Sequence, residues 1–155
     1  MKIRDAIQPD LVFLGLEAED AESAIDVMAR ELSAASRLDA VMVKSALIER
    51  ERLGSTSVGN GFAIPHCKLQ DLGEIVVALA RFDEGVDFGD ANRHAAARFF
   101  FLVLSPPDQP AEHLQVLSQI ARVLKNADLR KELLDATSVE SIATAIQRAA
   151  EQEGL

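Results

Sequence analysis

The sequence predicts an α/β fold: a three-layer sandwich in which a mixed β-sheet of about five strands has helices on both faces. Two short runs at the centre of the chain, 74–82 and 97–105, are almost wholly apolar. Such runs are typical of strands buried on both faces. Segments with helical spacing of apolar residues come before and after them, so helices are available to cover both sides of the sheet.

Length and charge narrow the class of protein. The chain has 155 residues, and we expect residues 1–155 to form a single domain. The formal net charge of −9 argues against a nucleic-acid-binding protein, which needs a basic surface. The chain has one cysteine, and its sequence shows neither a secretory signal nor an apolar run of membrane-spanning length. We therefore expect a cytoplasmic protein without membrane insertion.

The N-terminal elements are predicted to be a short helix, a strand and a longer helix. Residues 1–8 form the helical lead-in, and the apolar run 11–16 forms the strand. In the segment 19–36, apolar residues recur at helical spacing. Asp20 is a favourable N-cap, so the helix is predicted to begin directly after it.

A second amphipathic helix is predicted over 39–54. Asp39 is suited to its start and Gly54 to the position just past its end. The apolar side of this helix is predicted to consist of Met42, Ala46, Leu47 and Leu53.

The middle of the chain also predicts a hairpin of two shorter strands. The segments 56–60 and 62–66 flank the turn Gly59–Asn60–Gly61, and an Asn-Gly pair favours a tight hairpin turn. Between the two long strands, residues 83–96 are polar and rich in turn-forming residues, so they are predicted to be a loop.

The last third of the chain predicts three helices. Asp108 is the predicted cap of the first, the second covers 128–136, and the pair Thr137 and Glu140 has the spacing of a capping box that opens the third. The buried stripe of the first of these helices is predicted to consist of Leu114, Leu117, Ala121 and Leu124.

The three histidines are the first candidates for chemistry. His66 follows Pro65, which fixes the backbone, so its imidazole is presented from a stiff strand end. It is either a nucleophile that works near neutral pH or a turn residue without a role. His113 lies in the first turn of a predicted helix, where free N–H groups favour anions, and is either a partner for phosphate or a surface residue. His94, in the polar loop, is assigned no role.

Cys67 directly follows His66 and has three interpretations: a metal ligand, a catalytic nucleophile or a small apolar residue. A metal site is not expected, because adjacent side chains of an extended segment point in opposite directions and no paired ligand spacing occurs. A cysteine hydrolase would need activation of Cys67 by a distant base such as His113, and the sequence singles out no third, orienting group. The third interpretation is that Cys67 is a small apolar residue that fills space beside the turn.

The stretch ERLGSTSVGNGFAIPHCKL resembles the signature of phosphotransferase-system enzyme IIA domains of the fructose/mannitol type, and most strongly their nitrogen-regulatory branch. Phe62 replaces the usual aliphatic residue of that signature, and Cys67 stands where glycine is common. The segment 111–136 is similar to the family's later helix pair, including the histidine at 113. The matching signature positions are Glu51, Val58, Gly59, Ala63, Ile64, Pro65, His66 and Cys67.

The resemblance implies a mechanism. His66 would accept a phosphoryl group from a small HPr-like carrier protein, His113 would donate a hydrogen bond to that group, and Arg50 would frame the site. No cofactor and no metal ion is implied, so hydrogen-bond donors would stabilise the charge. The remaining candidate site residues are Glu51 at the acid position of the signature and the hydroxyl-bearing Ser55 and Thr56.

Two biological outputs remain open at this point. One is a regulator, linked to nitrogen and potassium, that binds target proteins according to the phosphorylation state of His66. The other is a component of fructose or mannitol uptake that passes the phosphoryl group to a separate IIB domain. Both are phosphotransferase components rather than stand-alone enzymes. The resemblance to the regulatory branch, whose IIA domain stands alone, favours the first.

Overall fold

The computed structural model describes residues 1–89 and 96–155 of the chain. The helices in this part are α1 (Ile3–Ala6), α2 (Ala21–Ala35), α3 (Ala40–Arg52), α4 (Pro110–Val123), α5 (Ala127–Asp135) and α6 (Val139–Gln152). The strands are β1 (Ile7–Phe13), β2 (Ser57–Gly59), β3 (Phe62–Ala63), β4 (His66–Lys68), β5 (Val76–Val86) and β6 (Ala97–Ser105). None of the helices described is long and apolar enough to cross a membrane.

The strands form one mixed sheet in the order β1-β5-β6-β3-β2, with β4 also paired to β6. Strands β5 and β6 are antiparallel, whereas β1 runs parallel to β5 and both β3 and β4 run parallel to β6. The sheet has six strands rather than about five because Pro65 divides the run predicted at 62–66. The Pro65 carbonyl still accepts a hydrogen bond from the Val103 N–H at 3.0 Å, so β3 and β4 follow one line along β6.

Two apolar cores lie on opposite faces of this sheet. Along β5, Val77 and Leu79 belong to the core covered by α1, α4, α5 and α6. Ala78 and Ala80 alternate with them and belong to the core covered by α2 and α3. This alternation is the geometry of a strand buried on both faces. The predicted three-layer α/β sandwich is therefore confirmed.

The hairpin β2–β3 confirms the turn predicted before the proline. Asn60 and Gly61 have φ angles of 58° and 88°, and Gly59 pairs with Phe62 across the turn. Positive φ at both central residues is the type I′ geometry that matches the twist of a hairpin, and an Asn-Gly pair adopts it readily. The Gly61 carbonyl then accepts hydrogen bonds from the Arg98 and Phe99 N–H groups of β6, which anchors the hairpin to the sheet.

Several predicted boundaries were wrong. The first strand begins at Ile7 rather than at residue 11, so the lead-in helix is only four residues long. Strand β5 continues to Val86, inside the region predicted as a loop, because the exposed Asp83 and Glu84 give this end of the strand a polar sequence. The histidine of that loop, His94, lies outside the described residues.

Helix caps were predicted correctly in the first half of the chain and wrongly in the second. Asp20 accepts a hydrogen bond from the Ser23 N–H at 2.8 Å, and Asp39 accepts one from the Val41 N–H at 2.9 Å. Both are the predicted N-caps.

In the second half, the N-cap of α4 is Gln109 and not Asp108, and no side chain caps this helix end. Pro110 is the first helical residue, and it has no N–H that needs a partner. Helix α6 is capped by Ser138 instead of Thr137.

The predicted buried side of α3 was partly wrong. Val43 and Leu47 are the buried residues of this helix, whereas Met42 is 47% exposed and Leu53 is 82% exposed. On α4, the predicted stripe is displaced in the same way: Leu114 is 66% exposed and Ala121 is exposed, while Leu117 is half-buried and Leu124 is buried. The residues of α4 that are buried are His113, Val116, Ile120 and Val123.

Candidate functional site

A cleft of about 430 Å³ lies between α3, β4 and the first turns of α4. It contains the two histidines singled out by the sequence, and its two cationic side chains outnumber the one carboxylate, that of Glu49, so it is suited to an anionic group. The lining residues are Ala46, Glu49, Arg50, Leu53, His66, Cys67, Lys68 and His113.

Strand β4 positions His66, its first residue. The following residue, Cys67, is buried in the core beside α2 and α3, so the alternation of the strand directs His66 to the opposite face, toward α4. The Nδ1 atom of His66 lies 2.7 Å from the carbonyl oxygen of Ile64. A carbonyl oxygen only accepts, so Nδ1 carries the proton and, in the neutral ring, Nε2 keeps a free lone pair.

Helix α4 positions the second histidine, His113. Its N–H donates to the Gln109 carbonyl at 3.1 Å, and its side chain is buried. The His113 and His66 rings are 5.5 Å apart between centroids, at an interplanar angle of 56°. The Nδ1 atom of His113 is hydrogen-bonded to the hydroxyl group of Ser105, the last residue of β6. The hydrogen bond to Ser105 therefore restrains the His113 ring next to the His66 ring.

Both histidines are held in the neutral form near pH 7. Burial lowers the pKa of His66 below its ordinary value of 6.5, and the positive charge of Arg50 lowers it further, while the bond to Ile64 acts in the opposite direction. Burial also lowers the pKa of His113, together with the charges of His66 and Lys68. A neutral imidazole is the form that attacks phosphorus.

The cationic side of the cleft consists of Arg50 and Lys68. Arg50 donates from Nη1 to the Gly54 carbonyl at 2.9 Å, which ties its guanidinium to the end of α3. Lys68 was missed as a site residue. The signal was present, because residues i and i+2 of a strand share one face and Lys68 follows His66 at that spacing. Ser105 was missed as well, and nothing local in the sequence pointed to it.

Three candidates from the signature are engaged outside the lining of the cleft. The Thr56 N–H donates to Glu51 Oε2 at 3.1 Å, and the Thr56 hydroxyl donates to Glu51 Oε1. The Ser55 hydroxyl donates to the carbonyl of Phe88 at 2.5 Å. Burial raises the pKa of Glu51, while the two bonds from Thr56 and the charge of Arg50 oppose that change. These side chains brace the segment that follows α3, and none of the three residues lines the cleft.

Cys67 has the environment of a core residue. Burial raises the pKa of its thiol to about 12, so the reactive thiolate is scarce at neutral pH. Among the described residues, no group of three or more His, Cys, Asp and Glu side chains is placed to hold a metal ion.

Comparison with known proteins identifies the family. The family model for "Phosphoenolpyruvate-dependent sugar phosphotransferase system, EIIA 2" matches residues 5–149. The chain belongs to this family. As an enzyme IIA protein, it is 32% identical over 142 residues to a nitrogen regulatory protein of Bradyrhizobium diazoefficiens, with 92% of each chain covered.

Two further relatives show the breadth of the family. The crystal structure of the nitrogen regulatory protein IIA-Ntr from Neisseria meningitidis matches this IIA chain with a TM-score of 0.84 and 28% identity, covering 93% of this chain and 98% of that one. A fructose-specific EIIABC component of Bacillus subtilis is 31% identical over 149 residues, which is 96% of this chain and 23% of that protein. Nitrogen-regulatory and sugar-specific IIA domains are thus both related to this protein.

Proposed function

We propose that this IIA protein, as one domain over residues 1–155, is a cytoplasmic phosphocarrier that accepts a phosphoryl group on Nε2 of His66 from an HPr-like protein. One observation carries the proposal. The Ile64 carbonyl holds the proton of His66 on Nδ1, and this leaves the Nε2 lone pair free in a cleft lined by cations.

The chemistry is an in-line exchange between two histidines. The Nε2 lone pair of His66 forms the new N–P bond while the N–P bond of the donor's phosphohistidine breaks, and the electron pair of that bond stays on the donor's nitrogen. Such a transfer depends on positioning and on stabilisation of the charge on the phosphoryl oxygens. Arg50 and Lys68 supply positive charge, and His113 supplies a hydrogen bond. Glu51, Ser55 and Thr56 support the site indirectly, through the segment after α3.

Exposed apolar side chains around the cleft support a protein as the phosphoryl donor. Met42 lies on α3 one turn before the cleft-lining Ala46, and Leu53, which caps the end of α3, lines the cleft itself. Leu114 follows His113 on α4. An exposed apolar patch next to a functional group is typical of a protein-binding surface. A small phosphoryl donor would need no such surface.

Regulation is the output that we favour for the phosphorylated protein. A phosphoryl group on His66 would place strong negative charge among the exposed apolar residues, and such a charge can create or abolish a protein interface. The relatives named as nitrogen regulatory proteins support this output. The targets that we propose for this protein are potassium transporters and sensor kinases. The fructose-specific relative supports the second candidate, transfer to a IIB domain of a sugar system.

Reconstitution of the phosphoryl chain tests the proposal. The protein is mixed with phosphoenolpyruvate, enzyme I and an HPr-like carrier, and acid-labile phosphate on the protein is measured. We expect none in His66→Ala and slower transfer or a shorter phosphate lifetime in His113→Ala. We expect unchanged labelling in Cys67→Ala, because this residue borders the cleft but its side chain packs in the core beside α2 and α3. Full labelling of His66→Ala would overturn the proposal.

A second assay separates the two outputs. The phosphorylated protein is offered to a IIB domain of the fructose or mannitol type, and loss of phosphate from His66 is measured over time. Rapid, complete transfer favours the sugar-uptake function. If the phosphoryl group stays on His66 while binding to a sensor kinase or potassium transporter changes with phosphorylation, the regulatory function is supported.

A further inference from the structure

The hydroxyl group of Ser105 contacts His113, which lines the cleft, while Ser105 itself is not part of the cleft lining. Ser105 ends strand β6, is fully buried, and bonds through its Oγ to Nδ1 of His113. We propose that Ser105 is a positioning residue that fixes the proton of His113 on Nε2, so that His113 donates a hydrogen bond into the cleft. The benefit of this proton for phosphoryl transfer rests on the function proposed above.

The position of this proton matters because His113 is neutral. A charged imidazolium would donate from both nitrogens, but burial and the nearby positive groups lower the pKa of His113. The neutral ring has a single N–H. With the proton on Nδ1, the Nε2 lone pair would point at the phosphoryl oxygens and repel them. With the proton on Nε2, the same nitrogen stabilises them.

The surroundings of Ser105 favour the second arrangement. Its Cα pairs with that of Lys68 on β4, and its carbonyl accepts the Leu69 N–H at 2.9 Å, so the backbone is held in register with the site. Within residues 1–89 and 96–155, the Ser105 hydroxyl has no other hydrogen-bond partner. No other acceptor in this part of the chain competes for its one proton, so this proton is available to Nδ1 of His113, and we assign Nδ1 as the acceptor of the bond.

The two histidines thus have chemically different partners at Nδ1. The Ile64 carbonyl only accepts, and it keeps the proton of His66 on Nδ1. The Ser105 hydroxyl, which is hydrogen-bonded to Nδ1 of His113, can donate. In the proposed arrangement it does so and keeps the proton of His113 on Nε2. As a result, one Nε2 atom is a bare nucleophile and the other is a hydrogen-bond donor. A phosphoryl group bound to His66 and hydrogen-bonded to His113 requires these two different roles.

Nitrogen NMR on the unphosphorylated protein is the direct test. Long-range ¹H–¹⁵N spectra distinguish the protonated from the unprotonated ring nitrogen, and we expect His113 to be protonated on Nε2. The matched pair Ser105→Thr and Ser105→Val has the same shape and differs only in the hydroxyl. We expect Thr to keep this tautomer and Val to give a mixture. A proton on Nδ1 in the unchanged protein, or the same spectrum for Thr and Val, would overturn the proposal.

Rates of phosphoryl transfer provide a second test. We expect phosphoryl acceptance to be about 10–100-fold slower in Ser105→Val than in Ser105→Thr, the range found for partners that fix the tautomer of metal-ligating histidines. In a His113→Gln background, the amide nitrogen of glutamine always donates and there is no tautomer to fix, so the difference between Val and Thr should vanish. A difference of equal size in that background would show that Ser105 does not act through His113. If the unchanged protein accepts no phosphate at all, the proposed function fails, while the NMR result still decides the role of Ser105.

Discussion

The thiol of Cys67 should resist alkylation in the folded protein. Its residue is 8% exposed and packs in the core beside α2 and α3. Burial raises the pKa of this thiol from an ordinary value of 9.0 to about 12. Since the thiolate is the reactive form, this change lowers the reactive fraction at pH 7 about 1,000-fold, and steric exclusion of the reagent lowers the rate further.

The assay compares folded and unfolded protein. Both are treated with iodoacetamide at pH 7, the second in concentrated urea, and intact mass measures the labelled fraction over time. Cys67→Ala provides the blank, because Cys67 is the single cysteine. We expect the folded protein to react at least about 1,000-fold more slowly. Labelling of the folded protein at a rate near that of the unfolded chain would refute the assignment of Cys67 to the core and would reopen the hydrolase alternative.

Three other changes test the site and its surroundings. Because the pKa of His66 lies below 6.5, phosphoryl acceptance should fall only as the pH drops through that lowered pKa. Arg50→Met removes a positive charge and should raise the pKa of His66 in an NMR titration. An unchanged pKa of His66 would contradict the role of Arg50. Thr56→Val removes a donor to Glu51 and should lower the free energy of unfolding in urea by about 1–3 kcal/mol. Leu53→Asp should slow phosphoryl acceptance from the carrier. The melting temperature should stay unchanged, because Leu53 is 82% exposed. A lower melting temperature would show instead that Leu53 packs in the core.

The parts of the fold that were predicted correctly depend on short, local sequence patterns. The long runs of β5 and β6 are apolar throughout most of their length because both faces of each strand are covered. Asp20 and Asp39 bond to N–H groups two or three residues away, so these caps depend only on neighbouring sequence. The hairpin turn at Asn60–Gly61 is equally local. His66 could be singled out for the same reason, since its motif is contiguous.

Features that depend on pairing between distant segments could not be predicted. Ser105 and His113 are eight residues apart, but their contact depends on where β6 ends relative to the start of α4. The position of Ser105 beside Lys68 depends on the parallel register of β4 on β6, which no local pattern specifies. For the same reason, the signature alone did not reveal that Glu51 accepts hydrogen bonds from Thr56.

The wrong predictions of buried residues on α3 and α4 are consistent with the proposed function. Helical periodicity identifies an apolar face, but burial in a core and burial in a transient protein interface require the same residue types. Met42, Leu53 and Leu114 were assigned to the core because they are apolar at helical spacing, and the structure leaves all three exposed near the cleft. The core residues of α3, by contrast, are Val43 and Leu47. An apolar stripe that the fold does not bury is therefore informative here, because it fits the carrier-binding surface that we propose next to His66.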